Sequence, residues 1–138
     1  MDTTERPQQM TLEECRDLLA AGVVGRVAMV TPIGPRIVPM AYSLNGGAIV
    51  FRTAPDTELS SYGWDTVLAF EVDDLDHHAV GRGSSVVAVG RAHVVTGPEE
   101  IARVRAAWNS PPWAPGPRTV YVELVWRGLT GQRWGRAA

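Results

Sequence analysis

The sequence predicts a mainly β fold: a six-stranded antiparallel barrel with a short N-terminal helix and a second helix before the last long strand. Six segments rich in β-branched residues follow one another with turn sequences between them, and only two segments have helical periodicity. The 138 residues fit one domain. A closed barrel is favoured because an open sheet of this composition would expose unpaired strand edges that promote aggregation. A β-sandwich is the structural alternative.

The first predicted element is a helix that begins at Thr11. Thr11 and Glu14 have the spacing of a capping box, and Gly22 is placed to end the helix in a left-handed cap. One apolar stripe follows the helical period and contains Leu12, Cys15, Leu18 and Leu19. Residues 1–10 are predicted to be a disordered tail before a domain over 11–138.

The predicted strands follow the first helix. They cover residues 23–31, 36–44, 48–53, 66–72, 84–95 and 119–126, with a short addition over 130–134. Asn45, Gly46 and Gly47 form a strong tight-turn signal. Pro39 removes one ladder donor, which indicates an edge, a bulge, or a place where something other than a strand lies alongside.

The segments between the later strands are mostly polar. Residues 54–63 are predicted to be a loop with one helical turn, and residues 73–78 an acidic connector that ends in His77 and His78. The second helix begins at Pro98. Residues 109–117 hold four prolines and Trp113, a composition too stiff for a helix.

Composition and charge exclude several classes of partner. The formal net charge is −2, so the chain lacks the positive field that attracts nucleic acid or an anionic membrane surface. All 13 basic residues are arginines. No apolar run has the length of a secretion signal or a membrane span, so we expect a cytoplasmic protein. Cys15 has no partner for a disulfide and is expected to be a small buried residue.

Motifs for catalysis are missing from the sequence. It has no P-loop, no dinucleotide fingerprint and no G-x-S-x-G elbow. Adjacent histidines in a loop chelate poorly, and His93 stands alone on a strand, where we expect an ordinary barrel residue. The sequence therefore predicts no metal site and no catalytic acid or base.

Five segments, in this order, resemble a known family. They read V-G-R-V-A-M-V-T-P-I-G-P-R-I-V-P-M-A-Y, I-V-F-R-T-A-P-D-T-E-L, F-E-V-D-D-L-D, V-V-A-V-G-R-A-H-V-V and P-W-A-P-G-P-R. The order and spacing resemble the actinobacterial branch of the flavin-binding split-barrel family related to pyridoxamine 5′-phosphate oxidase. The resemblance covers residues 11–133.

The resemblance implies a split β-barrel that pairs into a homodimer, with flavin sites between the subunits. It implies that the main chain of the second strand runs along the flavin ring, and that an arginine fork binds the cofactor phosphate. The positions that match cofactor-binding residues are Ile37, Val38, Pro39, Met40, Phe51, Arg52, Thr53, Thr57, Ser84, Ser85 and Trp113. From residues alone, a solvated residue at a strand end is the favoured interpretation of Arg52. Trp113 is equally a core or dimer-contact residue.

Two positions depart from the family pattern. Glu58 stands where members that bind flavin mononucleotide (FMN) commonly have a phosphate-binding lysine. Two like charges about 4 Å apart repel by roughly 4 kcal/mol at an effective dielectric near 20, so Glu58 predicts weakened FMN binding. Ser84 replaces a frequent tryptophan, which predicts less stacking area.

Three functions are compatible with the sequence. The first is a flavin-dependent oxidoreductase that uses FMN or a deazaflavin on a small organic molecule, with the redox chemistry carried by the cofactor. The second is a non-catalytic binding protein of the same fold that has lost FMN and holds another ligand, such as haem or a lipid. The third is a structural or partner-binding dimer without a ligand.

Overall fold

The computed structural model of the chain describes residues 6–75, 81–108 and 118–135. The predictions made for His77, His78 and Trp113 lie outside these residues. No helix within the described ranges has the length and apolarity needed to cross a bilayer. The elements in chain order are β1 (Gln8–Gln9), α1 (Leu12–Ala21), β2 (Val24–Thr31), β3 (Gly34–Asn45), β4 (Ala48–Thr53), α2 (Glu58–Tyr62), β5 (Thr66–Leu75), β6 (Gly83–Val94), α3 (Pro98–Ala107) and β7 (Val120–Trp134).

The six long strands close into a barrel. Neighbouring strands follow the order β7–β4–β3–β2–β5–β6, all pairs are antiparallel, and β6 pairs again with β7 to complete the ring. This closing ladder extends from Gly83 opposite Trp134 to Val94 opposite Val122. The predicted six-stranded barrel is therefore confirmed, and the sandwich alternative is wrong.

Side chains that alternate along the strands fill the barrel. In β2, Val27 and Met29 are buried, whereas Arg26 and Val30 face outward. Three rings from different strands meet edge to face at the centre, because Phe70 lies 4.8 Å from Tyr42 and 5.1 Å from Phe51 between ring centroids. These contacts join β3, β4 and β5 into one core.

Helix α1 packs against β3, β5, β6 and β7 and adds buried side chains to the barrel core. The predicted capping box is present, with Thr11 and Glu14 each accepting a hydrogen bond from the other's backbone N–H. Cys15 is fully buried, as predicted, and burial raises the pKa of its thiol. The Tyr42 hydroxyl donates to the carbonyl of Leu19 at 2.5 Å.

The left-handed cap predicted at Gly22 is wrong. Gly22 has a φ of −82°, which is extended backbone that any residue adopts. A Cβ atom at this position would clash with the Tyr42 hydroxyl. The glycine is needed for the close approach of helix and tyrosine and not for its backbone freedom.

Helix α3 covers the outside of the barrel. It packs against outward-facing residues of β4 and β7 and forms a second, smaller core. The residues of this core are Val50, Val95, Ile101, Val104, Trp108 and Tyr121.

Strand β5 is longer than predicted, because Asp73 and Asp74 are ladder residues and not part of a connector. Aspartate is unfavourable in strands. Here, however, the guanidinium of Arg26 lies 2.9 Å from the carboxylate of Asp73 and offsets that preference.

The two strands predicted near the C-terminus are one continuous strand, β7. The register with β6 shifts by one residue of β7, Arg127, between the pairs Val89–Gly128 and Gly90–Trp126, and the ladder continues on both sides of this bulge. The far end of β7 also pairs with β1, so Gln8–Gln9 are strand residues and not part of the disordered tail that the sequence predicts.

Candidate functional site

Strands β3 and β4 separate part of the way along the barrel. Strand β3 pairs with β4 only from Tyr42 to Asn45, whereas Gly34 to Ala41 pair with β2 alone within the described part of the chain. Beyond Phe51, strand β4 pairs only with β7 in the same part. The result is a split in the barrel wall, and one edge of β3 is left open along this split.

The direction of the backbone groups at this open edge follows from the ladder. Tyr42 donates its N–H to Val23, on the β2 side. Because hydrogen-bonding direction alternates along a strand, the main-chain groups of Ile37, Pro39 and Ala41 point the other way, into the split. Pro39 therefore removes no ladder bond, and it lies at an open edge, one of the three situations that the sequence left open for it.

Side chains of the same stretch of β3 alternate between solvent and core. Ile37 is 71% exposed, and Pro39 is also exposed on the outer face. Val38 packs against the barrel core, and Met40 is buried in it. A ligand in the split therefore meets the main chain of this stretch and the side chains of Ile37 and Pro39.

Two residues at the end of β4, beside the split, point into the barrel core. Phe51 and Thr53 are buried, so their side chains face the barrel interior. The hydroxyls of Thr53 and Thr57 lie 2.6 Å apart, and Thr57 caps α2 by accepting from the backbone N–H of Ser60. These residues fix the loop between β4 and α2.

Arg52 faces the opposite way, beneath the end of α3. Its guanidinium carbon lies 5.5 Å from the ring centre of Trp108 and 5.7 Å from that of Tyr121. One terminal nitrogen donates to the carbonyl of Arg118 at 3.2 Å. Its Nε is buried and has no hydrogen-bond partner among the described residues. An unpaired buried donor is costly, so Arg52 is suited to hold an acceptor that the described residues do not supply.

Glu58 is paired with a cation that the sequence analysis did not single out. The Nε of Arg36 lies 3.3 Å from the carboxylate of Glu58, and both side chains are partly exposed. The pair offsets the charge of Glu58 and links α2 to β3. The repulsion predicted between Glu58 and a cofactor phosphate is reduced accordingly, because the carboxylate is accompanied by the Arg36 guanidinium.

Ser84 and Ser85 lie away from the split within one chain. They pair with Asp74 and Asp73 at the end of β5, and strands β2 and β5 separate them from β3. Three strand spacings correspond to about 14 Å along the sheet. The chain by itself therefore does not bring the two serines into contact with Ile37 or Pro39.

An ion cluster lies on the sheet between the serines and β3. Arg26 contacts Glu71 at 2.7 Å and Asp73 at 2.9 Å. Desolvation and the nearby Asp73 raise the pKa of Glu71, although Arg26 opposes this shift. Sequence reasoning missed this cluster and Arg36. No local motif marks them, because their partners are 22 to 47 residues away in the chain.

Comparison with known proteins gives a family match over most of the chain. The family model described as pyridoxamine 5′-phosphate oxidase matches residues 11–133. An uncharacterized protein of Mycobacterium tuberculosis is 32% identical over 130 residues, which cover 91% of this chain and 84% of that protein.

Solved structures share the fold. An FAD-binding protein of Mycobacterium smegmatis is 28% identical with a TM-score of 0.77, and the match covers 92% of this chain and 98% of that one. A Corynebacterium glutamicum protein named for pyridoxamine 5′-phosphate oxidase is 27% identical with a TM-score of 0.81, over 100% of this chain and 98% of that one.

Proposed function

Because the chain belongs to the pyridoxamine 5′-phosphate oxidase family, we propose that it is a flavin-dependent oxidoreductase. The cofactor is FMN, FAD or a deazaflavin, and its ring system lies along the open edge of β3. The substrate is a small organic molecule. The FAD-binding protein of similar fold supports a flavin as the ligand. The ion pair of Glu58 with Arg36 reduces the repulsion that a cofactor phosphate would meet.

The open edge of β3 is the observation that carries this proposal. It offers the N–H and C=O of Ile37, the C=O of Pro39 and the N–H of Ala41 outside the strand ladders of the described residues. A flavin ring has alternating N–H and C=O groups along one edge. Such a ring would satisfy main-chain groups that otherwise rely on water.

Arg52 is proposed to hold the phosphate end of the cofactor. Its planar guanidinium suits bidentate binding of phosphate oxygens, and the rings of Trp108 and Tyr121 restrict its movement. If the β3–β4 ladder continued past Tyr42, Arg52 would lie opposite Ala41. The cation is thus at the point where the strands separate.

A homodimer is proposed to complete the site. Ser84 and Ser85 match cofactor-binding positions but lie about 14 Å along the sheet from β3 in the same subunit. A second subunit can bring its own serines to the open edge of the first. Exposed apolar side chains on β2 and β3, among them Val30 and Ile37, favour such a contact.

The protein's own residues are proposed to bind and orient the cofactor and not to transfer protons. When bound, a flavin supplies the hydride or electron transfer. The main chain of β3 would orient its ring, Arg52 would bind its phosphate, and the exposed side chains of Ile37 and Pro39 would exclude water from one side.

A pair of substitutions at Ile37 tests the proposal. Its N–H faces the split, so Ile37→Pro removes this donor without breaking the ladder, as Pro35 and Pro39 already do at equivalent positions. Fluorescence titration with FMN, FAD and a deazaflavin should give micromolar binding of at least one to the unmodified protein. Ile37→Pro should weaken that binding at least about tenfold.

Ile37→Ala is the matched control, since it keeps the N–H and removes most of the side chain. It should weaken binding clearly less than Ile37→Pro, because only a side-chain contact is lost. Equal binding by both variants would exclude the N–H of Ile37 from the site. If none of the three cofactors binds the unmodified protein, the proposed function is wrong.

A further inference from the structure

We infer that His93, Glu100 and Glu123 form a binding site for a divalent transition-metal ion on the outer face of the barrel. The three residues come from three elements, β6, α3 and β7. His93 and Glu123 are direct cross-strand partners, so their side chains lie side by side on one face. Glu100, in the first turn of α3, reaches the same point from above the sheet.

The spacing of the ligand atoms fits one ion. The Nε2 of His93 lies 3.6 Å from a carboxylate oxygen of Glu100 and 3.6 Å from one of Glu123. One ligand atom from each residue lies within 4.8 Å of the other two. An ion with ligands at about 2.1 Å in tetrahedral geometry sets neighbouring ligand atoms about 3.4 Å apart, so small side-chain rotations suffice.

The charges of these three side chains also favour a bound cation. Two carboxylates face a single imidazole, which is charged only when protonated. Within the described ranges, His93 is the only ion-pair partner of either carboxylate, and the side chain of Glu123 is only 14% exposed. Partly buried carboxylates that approach one another without a permanent cation repel, and a divalent ion would remove this repulsion.

The ligand types indicate the class of metal. An imidazole with two carboxylates suits zinc or another late first-row transition metal, whereas Mg²⁺ prefers oxygen ligands alone. Three protein ligands leave further coordination positions open to water, and His93 and Glu100 are each about two-fifths exposed, so the ion has access from solvent.

A bound ion would fix the start of α3 to strands β6 and β7. The rest of α3 covers Val50 and Tyr121, and the helix ends at Trp108, beside Arg52. The metal would therefore stabilise the outer core, because an ion that binds the folded state alone shifts unfolding to higher temperature. The three metal-binding residues are not among those proposed to bind the cofactor.

Zinc titration of the full chain tests the inference. Isothermal titration calorimetry with Zn²⁺ in metal-free buffer should show one site per chain with a dissociation constant of about 1–10 μM. Zinc should also raise the unfolding temperature, and Mg²⁺ at the same concentration should have no effect. Glu100→Gln and Glu123→Gln keep the side-chain shape and should each weaken zinc binding at least about tenfold.

Glu99→Gln is the matched control, because Glu99 is exposed in the same helical turn and lies outside the cluster. It should bind zinc as the unmodified protein does. Absence of zinc binding up to about 1 mM would overturn the inference. Binding that persists unchanged in both Glu100→Gln and Glu123→Gln would also overturn it, since the ion would then lie elsewhere in the chain.

Discussion

At the scale of single residues, Arg52 links the outer core to the proposed cofactor. Its guanidinium lies near two aromatic rings and donates one hydrogen bond to Arg118. Its buried Nε has no partner in the part of the chain that the structure describes. If this donor meets a phosphate, Arg52→Ala should weaken FMN binding at least about tenfold. Riboflavin has no phosphate, so its affinity should change less than about twofold.

Fluorescence titration of both ligands against both proteins checks this prediction. Riboflavin is the control for general damage, because disturbance of the ring site would weaken both ligands alike. Equal losses for FMN and riboflavin would mean that Arg52 acts through the fold and not through the phosphate.

The buried phenol of Tyr42 makes the stability of the protein depend on pH. Burial raises the pKa of its phenol to about 12, whereas an exposed tyrosine titrates near 10. The folded state thus favours the protonated phenol. The stability that this preference contributes is complete below about pH 10 and is lost as the pH rises towards 12. Tyr42→Phe should lose less stability over this range than the unmodified protein.

Urea unfolding at about pH 9 and about pH 11.5 measures this difference. The sequence suits the experiment, because it contains no lysine to titrate in the same window. Tyr62 and Tyr121 are present in both proteins and cancel in the comparison. If both proteins show the same pH dependence, folding does not raise the pKa of Tyr42.

At the scale of elements, the irregularity in the β6–β7 ladder depends on one glycine. A Cβ atom at Gly90 would collide with the carbonyl oxygen of Val125 in the facing strand. Gly90 and Val125 both belong to the ladder that closes the barrel, so neither backbone can shift without a substantial cost in free energy. Gly90→Ala should lower the free energy of unfolding by about 1–3 kcal/mol.

Gly128 is the control for this change, because it lies opposite Val89 at the same irregularity and has open space around its Cβ position. Gly128→Ala should change stability by less than about 0.5 kcal/mol. Urea unfolding of both variants gives the comparison, and similar effects of the two substitutions would disprove the steric explanation.

At the scale of the whole molecule, the proposed homodimer can be tested through the apolar outer face. Val30 of β2 is 78% exposed, and β7 lies on the opposite side of the strand ring. Sedimentation should show twice the chain mass for the unmodified protein. Val30→Asp should shift it towards the monomer, because a charge in an apolar contact is costly.

Val125→Asp is the control, since this half-exposed valine of β7 lies on the other side of the barrel. It should leave the dimer intact. A monomeric unmodified protein would contradict the proposed dimer, and dissociation by Val125→Asp alone would assign the contact to the other side.

Local signals in the sequence determined most of the elements. The capping box at Thr11 and Glu14, the turn at Gly46 and Gly47, and the strand Ala48–Thr53 are all present in the structure as predicted. These features depend on residues within a few positions of one another, so the sequence carries them directly. Pro39 likewise indicated an edge, a bulge or a non-strand neighbour, because a missing N–H is a property of the residue itself.

Only the tertiary structure decided which distant residues meet. It paired Arg36 with Glu58, turned Arg52 towards Trp108, and gathered His93, Glu100 and Glu123 from three elements. It also opened the split beside Pro39. The physical reason is that ladder register and barrel closure set these neighbours, and both depend on the whole sheet packing around one core and not on any local stretch of sequence.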